Sequence, residues 1–172
     1  MLVRKLRRGL DFALEAALVV LMSGMVINVL WQVCTRFIFG DPSSVTEEIA
    51  RFGLIWLGML GASYGFGRKV HLSVGLAEEL VAKRVEEGHP LRTGLVLINV
   101  VWVCIFAISI LLVGGTKLVS LTLGFEQTSA ALGVRLGLVY AVLPISGAIT
   151  LIYAGLEAVE AFVGPASRVD EA

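Results

Sequence analysis

The residues of this chain best suited to chemistry lie in one short polar stretch that contains Glu47, Glu48 and Arg51. Two adjacent carboxylates can serve as a general acid and base. The stretch also has the pattern of a helix-capping box, Ser44 with Glu47, and acidic side chains are stabilised near the positive amino-terminal end of a helix. Arg51 follows Glu47 by four residues and Glu48 by three, so on a helix it can pair with either. We therefore interpret the stretch as a charged, capped helix start at the headgroup level rather than as a catalytic pair.

The other reactive side chains are isolated from one another. His71 and His89 lack ligand-type neighbours at the spacing of a metal site. Cys34 and Cys104 fall at different depths of two apolar runs, which does not favour a disulfide. The sequence therefore predicts no metal, no cofactor and no enzymatic activity.

The composition indicates which solvent surrounds the chain. Of its 172 residues 57% are hydrophobic and 16% charged, with a mean hydropathy of +0.88. Soluble domains are about 45–50% apolar and about 25% charged. Fourteen basic residues balance fourteen acidic ones, which does not favour nucleic acid as a partner, and the hydrophobicity excludes a disordered chain. We expect the protein to lie in lipid.

Long runs without charge divide the chain into four membrane spans. A helix needs about 20 apolar residues to cross the hydrocarbon core. These runs must be helical, because backbone groups in lipid need internal hydrogen bonds and the runs lack the alternation of barrel strands. We predict an all-α membrane bundle, a single membrane domain of residues 1–172, with spans at about 12–35, 45–67, 93–116 and 136–156.

Lys and Arg are distributed unequally between the connections. Four precede the first span and five lie in residues 68–92, whereas the other two connections, counted with the headgroup-level start of the second span, have two each: Arg36 and Arg51, then Lys117 and Arg135. Because cytoplasmic loops are enriched in Lys and Arg, we expect both termini in the cytoplasm and the protein in a bacterial inner membrane. The first apolar run is too long for a signal peptide, so we expect it to be a retained anchor.

The connection between the second and third spans has a helical pattern of its own. Apolar residues recur there at spacings of three and four, with charged residues between them. Gly88 and Pro90 end the pattern. We predict an interfacial amphipathic helix over residues 73–87.

The interiors of the spans contain no Asp, Glu, Lys, Arg or His at mid-depth. Their main polar residues, Asn28, Gln32 and Asn99, are interpreted as interhelical hydrogen-bonding groups rather than a transport path. Only the fourth span has an internal proline, Pro144, whereas secondary carriers tend to use paired, interrupted helices. We expect the chain alone to carry no ion or anion.

Small residues at helical spacing predict where helices pack. Gly61 and Gly65 form a GxxxG pair in the second span, and Gly133 and Gly137 continue the same spacing into the fourth. Such glycines let two helix backbones approach closely in lipid.

Several short motifs follow one another along residues 10–160 in an order that is more specific than any one of them. They are Cys34-Thr35-Arg36-Phe37, Glu47-Glu48-Ile49-Ala50-Arg51, Trp56-Leu57-Gly58 with Leu60-Gly61-Ala62, Arg68-Lys69-Val70-His71-Leu72, Thr128-Ser129-Ala130-Ala131-Leu132-Gly133 and Pro144-Ile145-Ser146-Gly147. This order resembles the small membrane subunit (DctQ-like) of tripartite ATP-independent periplasmic, or TRAP, transporters.

The resemblance implies a transporter of three parts. A periplasmic protein captures an organic acid, a large membrane subunit holds the substrate and sodium sites, and the small subunit is part of a static scaffold. Carried over to this chain, the resemblance selects Arg36, Glu47, Glu48, Arg51 and His71. The first four are expected to form a charge cluster that fixes span one against span two and contacts the large subunit, and His71 to anchor the turn into the interfacial helix.

Two other functions remain open from the residues alone. A self-sufficient, proton-coupled small exporter would use Glu15 as its proton carrier, although Glu15 lies only a few residues after a basic cluster. A structural membrane protein or assembly factor would fit the same composition. The sequence does not name a substrate.

Overall fold

A computed structural model describes residues 2–40, 43–68 and 90–163, and these residues are almost entirely helical. The predicted interfacial helix at residues 73–87 lies outside them. The only extended pairing in the described part of the chain is an antiparallel bridge between Thr128 and Arg135. The helices are α1 (Leu2–Cys34), which ends in a π-helical turn (Thr35–Phe39), α2 (Ser44–Gly67), α3 (Pro90–Phe106), a π-helical segment (Ala107–Gly114), α4 (Gly115–Gly124), α5 (Leu136–Tyr140) and α6 (Val142–Val163).

Four helical stretches in the described residues are long and apolar enough to cross a membrane, as the sequence predicts. They are Lys5–Ile38, Ser44–Gly67, Ile98–Gly124 and Leu136–Val159, and we call them the first to fourth spans. The third continues through Lys117 to Gly124, well beyond the end expected at residue 116. A lysine is compatible with this position because its apolar stem can lie along the helix while the ammonium group reaches the interface.

The four spans of the predicted all-α membrane bundle lie side by side in a row. The first packs against the second, the second against the fourth, and the fourth against the third. Within the described residues the first span makes no contact with the third, so these two form the edges of the row. Only 6% of the first span's most apolar stretch is buried, compared with 39% of the fourth's, which is central.

The helix of the fourth span is interrupted at Ala141, between α5 and α6. Pro144 therefore lies in the first turn of α6 rather than in the middle of a continuous helix. In a first turn the missing N–H of proline removes no intrahelical hydrogen bond. The proline ring faces α4, where the Cα of Gly115 lies against Leu143 and Pro144.

The row has two chemically different ends. The loop end contains the 35–43 and 125–135 connections, and the termini end contains the start of α1 and the end of α6. Polar side chains join neighbouring helices at both ends. The buried apolar core between them includes Leu14, Leu60, Val142 and Ala154.

Candidate functional site

The first turn of α2 supplies the acidic residues that the sequence selects. Thr46 donates from its hydroxyl to the Ser43 carbonyl at 2.9 Å, and the Glu47 amide donates to the same oxygen at 3.3 Å. The predicted capping box is wrong, because α2 already includes Ser44 and no side chain caps it. The backbone of Ser43 closes the turn instead.

Glu47 and Arg51 form the expected i,i+4 ion pair on the surface of α2. The guanidinium of Arg51 donates to Glu47 Oε1 at 3.1 Å, and the two side chains are 67% and 63% exposed. Arg51 therefore pairs with Glu47 and not with Glu48. Arg36 lies in the π-helical turn that ends α1, is exposed, and has no hydrogen bond or ion pair within the described residues. The expected four-residue charge cluster is thus only partly brought together.

Glu48 is directed to the loop between α4 and α5. Its Oε1 accepts from the Ala130 amide at 3.1 Å, and its Oε2 accepts from the Ala131 and Leu132 amides at 3.2 and 2.8 Å. Two of the motifs in the sequence, the paired glutamates and residues 128–133, therefore meet in space. Their spacing in the sequence gives no sign of this contact.

The loop that holds Glu48 has its own backbone hydrogen bonds. The Ser129 amide donates to the Val134 carbonyl at 2.9 Å, and the Gly133 amide donates to the Ser129 carbonyl at 3.1 Å. Gly133 has φ of +65°, in the left-handed region that favours glycine. The prediction that Gly133 packs helices is wrong, because this glycine shapes a turn outside them.

Uncharged polar side chains join the spans, as predicted for Asn28; the side chains of Gln32 and Asn99 make no hydrogen bond within the described residues. Asn28 donates from its amide to the Thr46 carbonyl at 2.9 Å and so connects α1 to α2. Ser63 donates to the Ser146 carbonyl at 3.1 Å, and the Thr150 hydroxyl donates to Ser63 Oγ at 3.1 Å. These bonds satisfy the hydroxyls between α2 and α6, where water is excluded.

A second polar cluster, which the sequence reasoning missed, lies at the termini end. Arg7 donates to the carbonyl of Gly67 at 2.6 Å, and Tyr153 donates from its hydroxyl to Asp11 Oδ1 at 2.5 Å. Together these bonds tie α1 to the end of α2 and to the middle of α6. The spacing of Arg7 and Asp11 on one face of α1 is a signal in the sequence, but their partners are too distant to read from it.

Glu15 belongs to the same termini end. Its carboxylate lies 3.8 Å from the Arg68 guanidinium, and both side chains are at least half exposed. Arg68 also stacks over the Tyr64 ring, 5.4 Å from its centroid. A proton-carrying glutamate of a small exporter would need a deep position, and this exposed pairing with a cation argues against that role for Glu15.

Comparison with known proteins identifies the family of the chain. The model of the family described as "Tripartite ATP-independent periplasmic transporters, DctQ component" matches residues 25–164, which is most of the chain. The chain belongs to the DctQ family. A putative TRAP transporter small permease protein of Haemophilus influenzae is 37% identical over 73 residues, which is 42% of this chain and 45% of that protein. The sialic acid TRAP transporter small permease protein SiaQ of Vibrio cholerae is 28% identical over 72 residues, 42% of each chain. The aligned part therefore spans less than half the length of each relative.

The glycines that pack the helices of this DctQ subunit are mostly not the ones selected from the sequence. Gly61 has Leu18 at ordinary contact distance, and Gly65 faces open space. Gly137 does pack closely, since a Cβ there would lie 2.4 Å from Leu123 Cγ. Other close approaches occur at Gly53, Gly67, Gly115 and Gly147. The predicted anchor His71 lies outside the described residues.

We expect the Glu47–Arg51 pair to contribute little to folding of this DctQ subunit. Both side chains are mostly exposed, and such pairs contribute roughly 0–1 kcal/mol. Glu47→Gln and Arg51→Gln should each leave the unfolding midpoint in mixed detergent–SDS micelles nearly unchanged. Asn28→Leu, which removes a bond between spans, is the positive control. A large loss from either charge variant would show that the pair is coupled to other groups.

Proposed function

We propose that this chain is the scaffold subunit of a TRAP-type transporter. In this proposal it supports a large membrane subunit that imports an organic acid with a cation, sodium, and that receives substrate from a periplasmic binding protein. One observation carries the proposal. Among the described residues no Asp, Glu, Lys, Arg or His side chain is buried, and the buried polar groups are the hydroxyls of Ser and Thr residues and of Tyr153.

The described spans bury no charged side chain, which favours a supporting subunit over a carrier. A site for a carboxylate or sodium ion inside a membrane needs charged or convergent polar groups, and such groups are rare and functional where they occur. The buried hydroxyls of Ser63, Ser146 and Thr150 are instead bonded within or between helices. The chemistry of transport then belongs to the large subunit.

The row of spans supplies the surface that a scaffold needs. Its two edge helices carry exposed apolar side chains, with Phe12 and Ile27 on the first span 76% and 68% exposed and Trp102 on the third 67% exposed. Part of this surface meets lipid, and in the proposal part meets the large subunit. Arg36, Glu47 and Arg51 are exposed at the loop end, where they extend the contact with polar groups. His71 stays in the proposed contact set on the resemblance alone.

The proposed class of substrate, an organic acid, is supported by the name of one relative. The Vibrio cholerae protein is named as part of a sialic acid TRAP transporter, and sialic acid is an organic acid. The proposal places this chain in the bacterial inner membrane, with both termini in the cytoplasm, because Lys and Arg concentrate before the first span and in residues 68–92.

Reconstitution into liposomes tests whether the chain transports substrate by itself or only together with its proposed partners. We expect sodium-driven uptake of an organic acid only when the chain, the large subunit and the binding protein are all present. The chain alone should give no uptake above empty liposomes, because its described spans hold no ionisable transport site. Uptake by the chain alone would overturn the scaffold role.

Co-purification tests the proposed contact surface separately. A tagged large subunit should recover less of the Arg36→Ala and Arg51→Ala variants than of the parent chain. Lys117→Ala is a matched control, because Lys117 is also an exposed basic residue in a span. Recovery equal to the parent for both variants would remove these arginines from the contact set without affecting the scaffold role.

A further inference from the structure

The amide groups of Ala130, Ala131 and Leu132 point to one place at the loop end. All three donate to the Glu48 carboxylate, at 3.1, 3.2 and 2.8 Å, and both carboxylate oxygens are used. Successive backbone N–H groups arranged in this way form a concavity that binds anions. Glu48 reaches it from α2, 82 to 84 residues away along the chain.

The loop is held in shape by bonds that do not involve Glu48. The Ser129 amide donates to the Val134 carbonyl, the Val134 amide donates to Ser129 Oγ at 3.2 Å, and the Gly133 amide donates to the Ser129 carbonyl. The Leu136 amide donates to the Gln127 carbonyl at 2.9 Å, where α5 begins. The concavity is therefore preorganised by its own backbone, and Glu48 occupies it rather than creating it.

We propose that Ala130, Ala131 and Leu132 form a carboxylate-binding site, with the Glu48 side chain as its resident ligand. Three donors need an acceptor with two oxygens and several lone pairs, which a carboxylate provides and a single amide oxygen does not. The occupied site latches the 125–135 connection to α2. It rests on contacts within this chain and does not depend on the scaffold role.

Chemical rescue tests whether the site recognises a carboxylate. Glu48→Ala removes Cγ and the carboxyl group, which together have the size and charge of acetate. In the full chain in lipid nanodiscs, we expect hydrogen–deuterium exchange in the peptide with residues 130–132 to become at least about tenfold faster, because hydrogen bonds to charged groups are strong. Sodium acetate should restore slow exchange in a saturable way, and sodium chloride at equal ionic strength should not.

Two variants keep the test decisive. Glu47→Ala is the matched control and should exchange like the parent chain, since Glu47 pairs only with Arg51 among the described contacts. Glu48→Gln keeps the size of the side chain but loses an acceptor, so it should exchange faster and should not respond to acetate, because its amide group fills the space. Exchange at the parental rate in Glu48→Gln, or acetate no more effective than chloride in Glu48→Ala, would overturn the proposal.

Discussion

Replacing Gly115 by alanine is expected to lower the free energy of unfolding by about 1–3 kcal/mol, as overpacking of a tight contact does. A Cβ at this position would lie 2.9 Å from Leu143 Cβ, 3.0 Å from Pro144 Cδ and 3.2 Å from the Pro144 nitrogen. None of these atoms is the mobile end of a flexible side chain, so the contact can be relieved only by moving α4 away from α6. Unfolding by SDS in mixed micelles, followed by circular dichroism, measures the change.

Gly114 provides the matched control, since it precedes Gly115 directly. A Cβ at Gly114 would meet only the Ser109 carbonyl oxygen, at an ordinary 3.6 Å. Because alanine loses less backbone entropy than glycine, Gly114→Ala should be neutral or stabilising by roughly 0.5–1 kcal/mol. Equal effects of the two substitutions would contradict the close packing of the third and fourth spans.

The existence of four spans could be predicted because lipid imposes one requirement on every residue of a span. Each backbone group must be bonded internally, so a long apolar run has one available structure. The end of the third span could not be predicted from charge, because Lys117 interrupts the apolar run without interrupting the helix. The helix ends at Gly124, after which Glu126 adopts a positive φ of 50°.

The order of the spans in the row could not be read from the sequence. A soluble helix shows its buried face by hydrophobic periodicity, but a span is apolar on every side. Small residues do not resolve the order either. Gly65 and Gly115 look alike in the sequence, because each is a glycine in an apolar run. A Cβ at Gly65 would nevertheless face open space, whereas one at Gly115 would contact Pro144.

The candidate site residues make both local contacts, which the sequence predicts, and distant contacts, which it does not. The Glu47–Arg51 pair can be predicted from the sequence because positions four apart on a helix are neighbours. The partners of Glu48 cannot be predicted in this way, because the Ala130–Leu132 amides are backbone groups that every sequence has. What brings them together is the packing of the second span beside the α4–α5 connection.

The contact between Tyr153 and Asp11 has the largest sequence separation of these contacts, since the two residues are 142 positions apart along the chain. The Tyr153 side chain is buried between the spans, since the residue is only 3% exposed and its ring lies against Gly67. Its hydroxyl donates a hydrogen bond to a carboxylate away from bulk water, which makes the bond charge-assisted. The bond connects the first span to the fourth, which otherwise touch little.

Tyr153→Phe is expected to lower the free energy of unfolding by about 1–3 kcal/mol, because it removes a hydrogen bond to a charged group while keeping the ring. Asp11→Ala should cost a similar amount, since it leaves the buried hydroxyl without its acceptor. The double variant should cost clearly less than the sum, with a coupling of roughly 0.5–3 kcal/mol in a double-mutant cycle of SDS unfolding. Tyr140→Phe is the control, because the Tyr140 hydroxyl has no hydrogen-bond partner among the described residues, and it should change stability by less than about 0.5 kcal/mol. Strict additivity of Tyr153→Phe and Asp11→Ala would mean that the first span is held by its contact with α2 alone.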